Sequence, residues 1–439
     1  MSTSPHQRTA TILAWVALLG LVGFHVWALS RPWLHEVDPL FTWRKGPLVA
    51  EASPYSAHHA ARYLWPAVVG MLDLYLAALL AWIAVSKRLS VSVARVLGPV
   101  VATVVLVVVL AVGELGVRGA VWRFQFTQYH PDPELFWYNR PLLRDHRDAT
   151  DAALRSTNSK GFRGTREIDG PKGEDELRIF LVGDSSTFGL GVEDDQTYGA
   201  VLERLLSEQT HQRVTVVNTA SPGHTSYQGW VLWQRWVELV DPDILIWAYN
   251  NDPCLDMVPE DERLARRPAL RAIERVLFRS DLYLMARQVV LGVARRSDGA
   301  RFAQTHPDEA DGWVPRIPFD DYHRFLEDFE EAAAERCANA VFVRMPLNRA
   351  SILDHPIYAT SFDDRYRDHL SDEFCQQPVR YCANLEHVFE GLGDPELFLP
   401  HHLFHPSAKG HEIIGKVLAR TIVDQGLLEP RVPPCGIPE

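Results

Sequence analysis

Residues 178–192 read RIFLVGDSSTFGLGV: an apolar run, Ile179 to Val182, ends at Gly183, and Asp184, Ser185 and Ser186 follow. A short apolar run closed by a glycine-rich turn is the pattern of a buried strand feeding a loop. In an open α/β sheet, ligands bind outside the carboxyl ends of the strands. Ser185 is therefore expected at a site. Asp and Ser are also common turn formers, so this stretch alone does not decide between a catalytic elbow and a plain turn.

Downstream the pattern alternates between strands and helices. Arg213–Asn218, Asp243–Tyr249 and Ala340–Met345 read as further strands. Thr197–Glu208, Ser226–Leu239, Pro268–Arg296, Asp320–Arg336 and Ser407–Gln425 read as helices. Such βαβ alternation predicts a parallel sheet covered by helices on both faces. The expected unit spans residues 176–429, followed by a tail over 430–439. Residues 120–175, rich in Pro, Arg and aromatic residues and then polar, are expected to be a connector.

The N-terminal part differs in character. Ala10–Leu29, Leu64–Val85 and Val96–Val112 are apolar over lengths that suit membrane-spanning helices, so three spans are expected within residues 1–119. Lys87, Arg88 and Arg95 between the second and third spans, with Arg8 on the tail, favour a cytoplasmic tail. Arg31, Arg44, Lys45 and Arg62 in the first loop oppose that choice. With the tail inside, a multi-pass inner-membrane protein results, its C-terminal domain on the periplasmic or extracytoplasmic side.

The 439 residues carry a formal net charge of -12 and no dense basic cluster, which argues against a nucleic-acid partner. None of the five cysteines forms a CxxC pair. Cys375 and Cys382 lie close enough in sequence to close a small disulfide loop, and two free thiols suit the spacing equally well. His401, His402 and His405 lack helical metal-ligand spacing, and no HExxH occurs, so no metal is expected. The glycines at 183, 189 and 191 lack the Lys-Ser/Thr of a phosphate-binding loop, and no cofactor is expected.

Three more segments complete a possible acyl-transfer site. Acyl chemistry on a serine requires a hydroxyl, a base, oxyanion donors and a group that orients the base. Ser185 offers the hydroxyl and its own backbone N–H. Gly223, closing Asn218-Thr-Ala-Ser-Pro-Gly223, lets a backbone N–H approach an oxyanion closely. Asn251, after the third strand, offers a side-chain amide, and His405, just before the last helix, offers a base. Taken singly, Gly223 is a turn residue, Asn251 a helix cap and His405 a surface histidine. Their order and strand context make the combination more specific.

Over roughly residues 155–425 the chain resembles the SGNH, or GDSL-type, esterases and acyltransferases. GDSS at 183–186 is similar to the first block of that family, the segment ending at Gly223 to the second, Asn251-Asp252 to the third, and HPSAKGH at 405–411 to the last. GFRG at 161–164 also recurs in membrane-tethered members. The resemblance implies a three-layer α/β/α sandwich with a flavodoxin-like parallel sheet. It further implies Ser185 as nucleophile, Ser185, Gly223 and Asn251 as the oxyanion hole, and His405 as general base. Two positions depart from the pattern. Tyr249 stands where a Gly precedes the third block, and His402 stands where an Asp orients the His. In the serine-protease template, losing a usable Asp costs on the order of 10⁴ in kcat. Three outcomes stay open: a Ser–His dyad, a substitute group such as His402, Asp394 or Glu396, or a silent site. The functions that follow are an esterase acting on acylated small molecules or polysaccharides, an O-acyltransferase modifying an envelope polysaccharide, or a carbohydrate-binding module without catalysis.

Overall fold

The computed structural model describes residues 70–71, 73, 75–78, 82, 91–124, 129–148, 151–210, 212–256, 268–284, 314–349, 364–377, 380–400, 402 and 404–428. These fall into two compact units. One holds the described parts of 55–127 and 276–301, the other those of 128–275 and 302–439.

The first unit is built on helix α1, Val91–Phe124. Its stretch Leu97–Gly119 is long and apolar enough to cross a membrane, with a mean hydropathy of 2.7, and only 17% of that window is buried. This helix contains the third expected span and runs well past its expected end at Val112. The first expected span lies outside the described residues, and the second does so for the most part. Near the end of the apolar stretch, the Glu114 carboxylate accepts hydrogen bonds from Ser280 Oγ and from the backbone N–H groups of Asp281 and Leu282. Arg118 bonds both Glu114 and Asp281, so the polar groups of this short segment are satisfied locally.

Among the described residues the second unit contains four sheets. Strands β1 (Tyr129–Asp132) and β2 (Phe136–Asn139) form one antiparallel hairpin, and β3 (His146–Asp148) and β4 (Asp151–Arg155) form another. The main sheet comprises β5 (Glu176–Gly183), β6 (Arg213–Asn218), β7 (Ile244–Ala248), β10 (Asn339–Arg344) and β11 (Tyr381–Asn384). Strands β8 (Leu255–Asp256) and β9 (Val314–Pro315) pair separately. All four pairings in the main sheet are parallel, in the order β11-β10-β7-β5-β6. Numbered within the sheet this is 2-1-3-4-5, the flavodoxin-like order, with its switch point at β5.

Alternation along β5 builds two cores. Ile179 and Leu181 face one core, shared with Tyr198, Leu202 and Leu206 of α3 (Tyr198–Thr210) and Ile414, Leu418 and Ile422 of α7 (Ala408–Asp424). Phe180 and Val182 face the other, shared with Trp233 and Val237 of α4 (Ser226–Val240) and Phe325 and Phe329 of α6 (Phe319–Glu335). On each helix these apolar residues recur three or four positions apart, the spacing of one buried stripe. The result is the expected α/β/α layering. Strand β11 escaped the sequence pattern because its four residues, YCAN, contain no apolar run. Within the stretch 268–296, expected to be mostly helical, α5 covers Pro268–Leu277, the chain turns at 278–280 and is helical again over 281–284; residues 285–296 are outside the described set.

One expectation is corrected and one open alternative is decided. Residues 129–168 are more than a connector. Trp137, Leu143, Phe162 and Ile168 are buried in the second unit, and isolated apolar residues among polar ones gave no periodic signal. Between a disulfide and free thiols at Cys375 and Cys382, the structure has the disulfide. Cys337 is also disulfide-bonded, whereas Cys254 is free and buried.

Phe329 is fully buried and meets Trp230 edge to face, with ring centroids 5.3 Å apart. We expect Phe329→Ala to destabilise the second unit by about 3–5 kcal/mol in a denaturant melt. A loss under about 1 kcal/mol would contradict this packing.

Candidate active site

The elbow after β5 is set by steric fit. Ser185 opens a single helical turn, α2, Ser185–Phe188. A Cβ on Gly183 would lie 2.1 Å from Thr187 Oγ1 and 2.5 Å from the Ala248 carbonyl oxygen, so only glycine fits. Asp184 caps the turn, its carboxylate accepting from Ser186 N–H at 2.8 Å and from Asn250 N–H at 2.7 Å. One side chain thereby joins the ends of β5 and β7. It is wholly buried, and burial pushes its pKa up to about 6 against the hydrogen bonds that favour the charge. The turn is also fastened to the chain's last loop, because Ser186 Oγ donates to the Phe404 carbonyl at 2.7 Å.

That loop delivers His405 to the serine. Leu399 N–H donates to the His405 carbonyl, and Ser407 N–H to the Leu397 carbonyl. Ser407 then caps α7 through Gly410 N–H. His405 Nε2 lies 2.7 Å from Ser185 Oγ, across 220 residues of sequence. Its other nitrogen, Nδ1, lies 2.7 Å from His402 Nδ1. Burial presses the His405 pKa down to about 3, and the adjoining His402 and the nearby His411 act in the same direction. The ring is thus a neutral imidazole with a hydroxyl at one nitrogen and a second imidazole at the other.

Asp394 does not orient this base, which corrects its inclusion among the substitutes. Its carboxylate accepts from Glu396 N–H at the start of a short 3₁₀ turn and pairs with Lys409 at 2.5 Å. Glu396 pairs with the same lysine at 3.1 Å. Sequence nearness to the histidine made both plausible, but Lys409 draws both to the outside of the loop.

The Gly223 segment is braced by the first hairpin. Gly223 has φ +81°, and a Cβ there would lie 3.0 Å from Trp137 Cζ2. Trp137 Nε1–H donates to the Pro222 carbonyl, and the Trp137 carbonyl lies 2.8 Å from His224 Nε2. Asn139 Nδ2–H donates to the Ala220 carbonyl, while Ser221 Oγ–H donates to Asn139 Oδ1. Asn251 is buried and donates from Nδ2 to the His224 carbonyl at 3.1 Å. An amide nitrogen carries two hydrogens, and His224 takes one of them. Hydrogen bonds thus link the loops after β5, β6 and β7, which bear Ser185, Gly223 and Asn251.

Three supports were absent from the sequence reading. Arg163, in the GFRG segment, bonds Asp194 at 2.6 Å and the carbonyls of Phe188, Gly189 and Val192, fixing the chain that leaves α2. Arg367 is buried, donates to Asn250 Oδ1 and pairs with Glu386 at 2.8 Å. His411 Nδ1 accepts from Tyr198 N–H at the start of α3. Arg163, in GFRG, and His411, in HPSAKGH, lay in segments the sequence had singled out, whereas Arg367 had no local cue.

The residues form no group of three or more metal-ligating side chains among those described. No family model matches the chain, and no curated protein does. Solved structures with a similar fold include a lipase/acylhydrolase from Enterococcus faecalis (15% identity, 57% of this chain and 96% of that one, TM-score 0.36). An acetyl xylan esterase from Geobacillus stearothermophilus follows at 16% identity, 56% and 94% coverage and TM-score 0.34. A member of the lipolytic G-D-S-L family from Veillonella parvula shows 11% identity, 56% and 97% coverage and TM-score 0.32. At these scores they carry no weight for the function of this chain.

Asp184 links this site to pH. Its folded pKa, about 6, exceeds the ordinary value of 3.8, so the folded chain holds this proton more tightly than the unfolded chain. Through this group stability falls as pH rises from about 4 to about 6, by roughly 3 kcal/mol. Asp184→Asn removes that term. We expect the stability of the native protein minus that of the variant to drop across this window in urea melts. A difference that is flat with pH would refute the assignment.

Proposed function

We propose that this protein is a membrane-tethered serine esterase of the SGNH type that cleaves acyl esters, on carbohydrate or lipid, through an acyl-serine intermediate. The observation that carries the reading is the 2.7 Å contact between Ser185 Oγ and His405 Nε2. A neutral imidazole beside a serine hydroxyl at the carboxyl end of a switch-point strand is the nucleophile–base arrangement of acyl transfer.

In this mechanism Ser185 Oγ attacks the ester carbonyl while its proton passes to His405 Nε2. The oxyanion is stabilised by the backbone N–H groups of Ser185 and Gly223 and by the second amide hydrogen of Asn251. Collapse breaks the carbon–oxygen bond to the alcohol, which leaves with the proton from His405. Water, deprotonated by the same nitrogen, then releases the acid and restores Ser185. No cofactor enters any step.

The apolar stretch Leu97–Gly119 supports tethering. Disulfides at Cys375–Cys382 and at Cys337 support an oxidising, extracytoplasmic setting for the second unit.

A fluorophosphonate probe is expected to label the native protein at Ser185. Ser185→Ala and His405→Ala should each lower kcat on a chromogenic acetyl ester by on the order of 10³ or more. Equal labelling of Ser185→Ala would overturn the esterase reading. For sidedness, an impermeant thiol reagent applied to intact cells after reduction should modify Cys375 and Cys382. Modification only after lysis would place the second unit in the cytoplasm.

A further inference from the structure

The contact behind the base has a consequence that a carboxylate would not have. To act as base, His405 Nε2 must be the lone-pair nitrogen that accepts from the Ser185 hydroxyl, so its proton sits on Nδ1. That N–H points at His402 Nδ1, 2.7 Å away, which must then be unprotonated. The reverse chain fits the same two distances. In it His402 Nδ1–H donates to His405 Nδ1, and His405 Nε2–H donates to Ser185, leaving the hydroxyl with no base. An ionised carboxylate only accepts, so it excludes the reverse chain. An imidazole permits both. Presenting the wrong tautomer to the nucleophile is what costs on the order of 10⁴ in kcat in the serine-protease template.

We infer that His402, neutral and protonated on Nε2, is the positioning residue that holds His405 in its basic tautomer, in place of a carboxylate. This deepens the esterase reading and rests on it. The loop is built for the pairing. His402 N–H donates to the Leu399 carbonyl and His405 donates its own carbonyl to Leu399 N–H, so one residue fixes both backbones. Asn348 Nδ2–H reaches the His402 carbonyl at 3.4 Å. The two rings meet edge to face, with centroids 4.9 Å apart, and Phe404 packs on His405 at 4.5 Å. Besides His402, the ionisable group acting on His405 is His411, and Arg163 acts on His411 in turn. Among the described residues no carboxylate bonds His405.

The proton balance closes. As the Oγ–carbon bond forms, the hydroxyl proton moves to His405 Nε2 and the carbonyl electron pair moves to oxygen. The Nδ1 proton shifts toward His402 Nδ1, which spreads the positive charge over two rings. When the alcohol departs with the Nε2 proton, the shared proton returns to His405.

The test uses the full chain in detergent. His402→Ala should lower kcat/KM by on the order of 100-fold, mainly in kcat, and added imidazole should recover part of the loss. His402→Asp, which supplies an obligate acceptor, should move the acid limb of the pH profile to higher pH, since a carboxylate favours the imidazolium that a second imidazole opposes. A His402→Ala protein with native kcat/KM and an unchanged acid limb would overturn the inference. Independently of turnover, nitrogen-labelled histidine NMR should show a strongly downfield His405 Nδ1–H that disappears in His402→Ala. Its absence from the native protein would also overturn the inference. If the resonance is present but the probe never labels Ser185, the esterase reading fails while the pairing of the rings stands.

Discussion

Asp184 is buried completely, and among the described residues no cation pairs with it. Its charge is held by hydrogen bonds, from Ser186 and Thr187 on its own turn and from Asn250 N–H on the neighbouring strand's loop. Desolvation makes this expensive, as its raised pKa records. What it secures is the alignment of two strand ends to within a hydrogen-bond length. Without that alignment Ser185 and Asn251 would sit on loops that move independently. The Gly183 backbone, pressed against Ala248, is the steric half of the same constraint.

Around this joint, the supports come from parts of the chain far from the sheet edge. The hairpin bearing Trp137 and Asn139 holds the Gly223 segment from one side. Arg163 holds the exit of α2, and Arg367 holds the Asn250 side chain while neutralised by Glu386. Each uses a fixed donor against a backbone carbonyl or an amide oxygen. Donors held this way do not need to reorganise when charge develops on a substrate, which is the condition for electrostatic stabilisation of a transition state.

His405 stands apart from this pattern. Behind its Nδ1 lies His402, not a fixed negative charge. A carboxylate would raise the proton affinity of His405; here burial and the second ring lower it. The acids that lie closest in sequence, Asp394 and Glu396, are both bound to Lys409 and take no part.

The unbroken apolar run of Ile179 through Val182 marked a strand covered on both faces, and the strand–helix rhythm after it revealed a parallel sheet, because burial on two faces leaves no polar position for the strand to show. Ser185, Gly223, Asn251 and His405 were legible for a related reason: each closes a strand or opens a helix, and turn chemistry is local. Strand β11 was not legible, since a four-residue edge strand held by a disulfide needs no apolar run. The structural work of residues 129–168 was hidden because Trp137 and Phe162 act through contacts with His224 and Trp236, far along the chain. Which group stands behind His405 was likewise beyond the sequence, which offered His402, Asp394 and Glu396 on equal terms. Only the folded loop decided among them, because a hydrogen bond depends on direction and distance in space, and Lys409 had already claimed the two carboxylates.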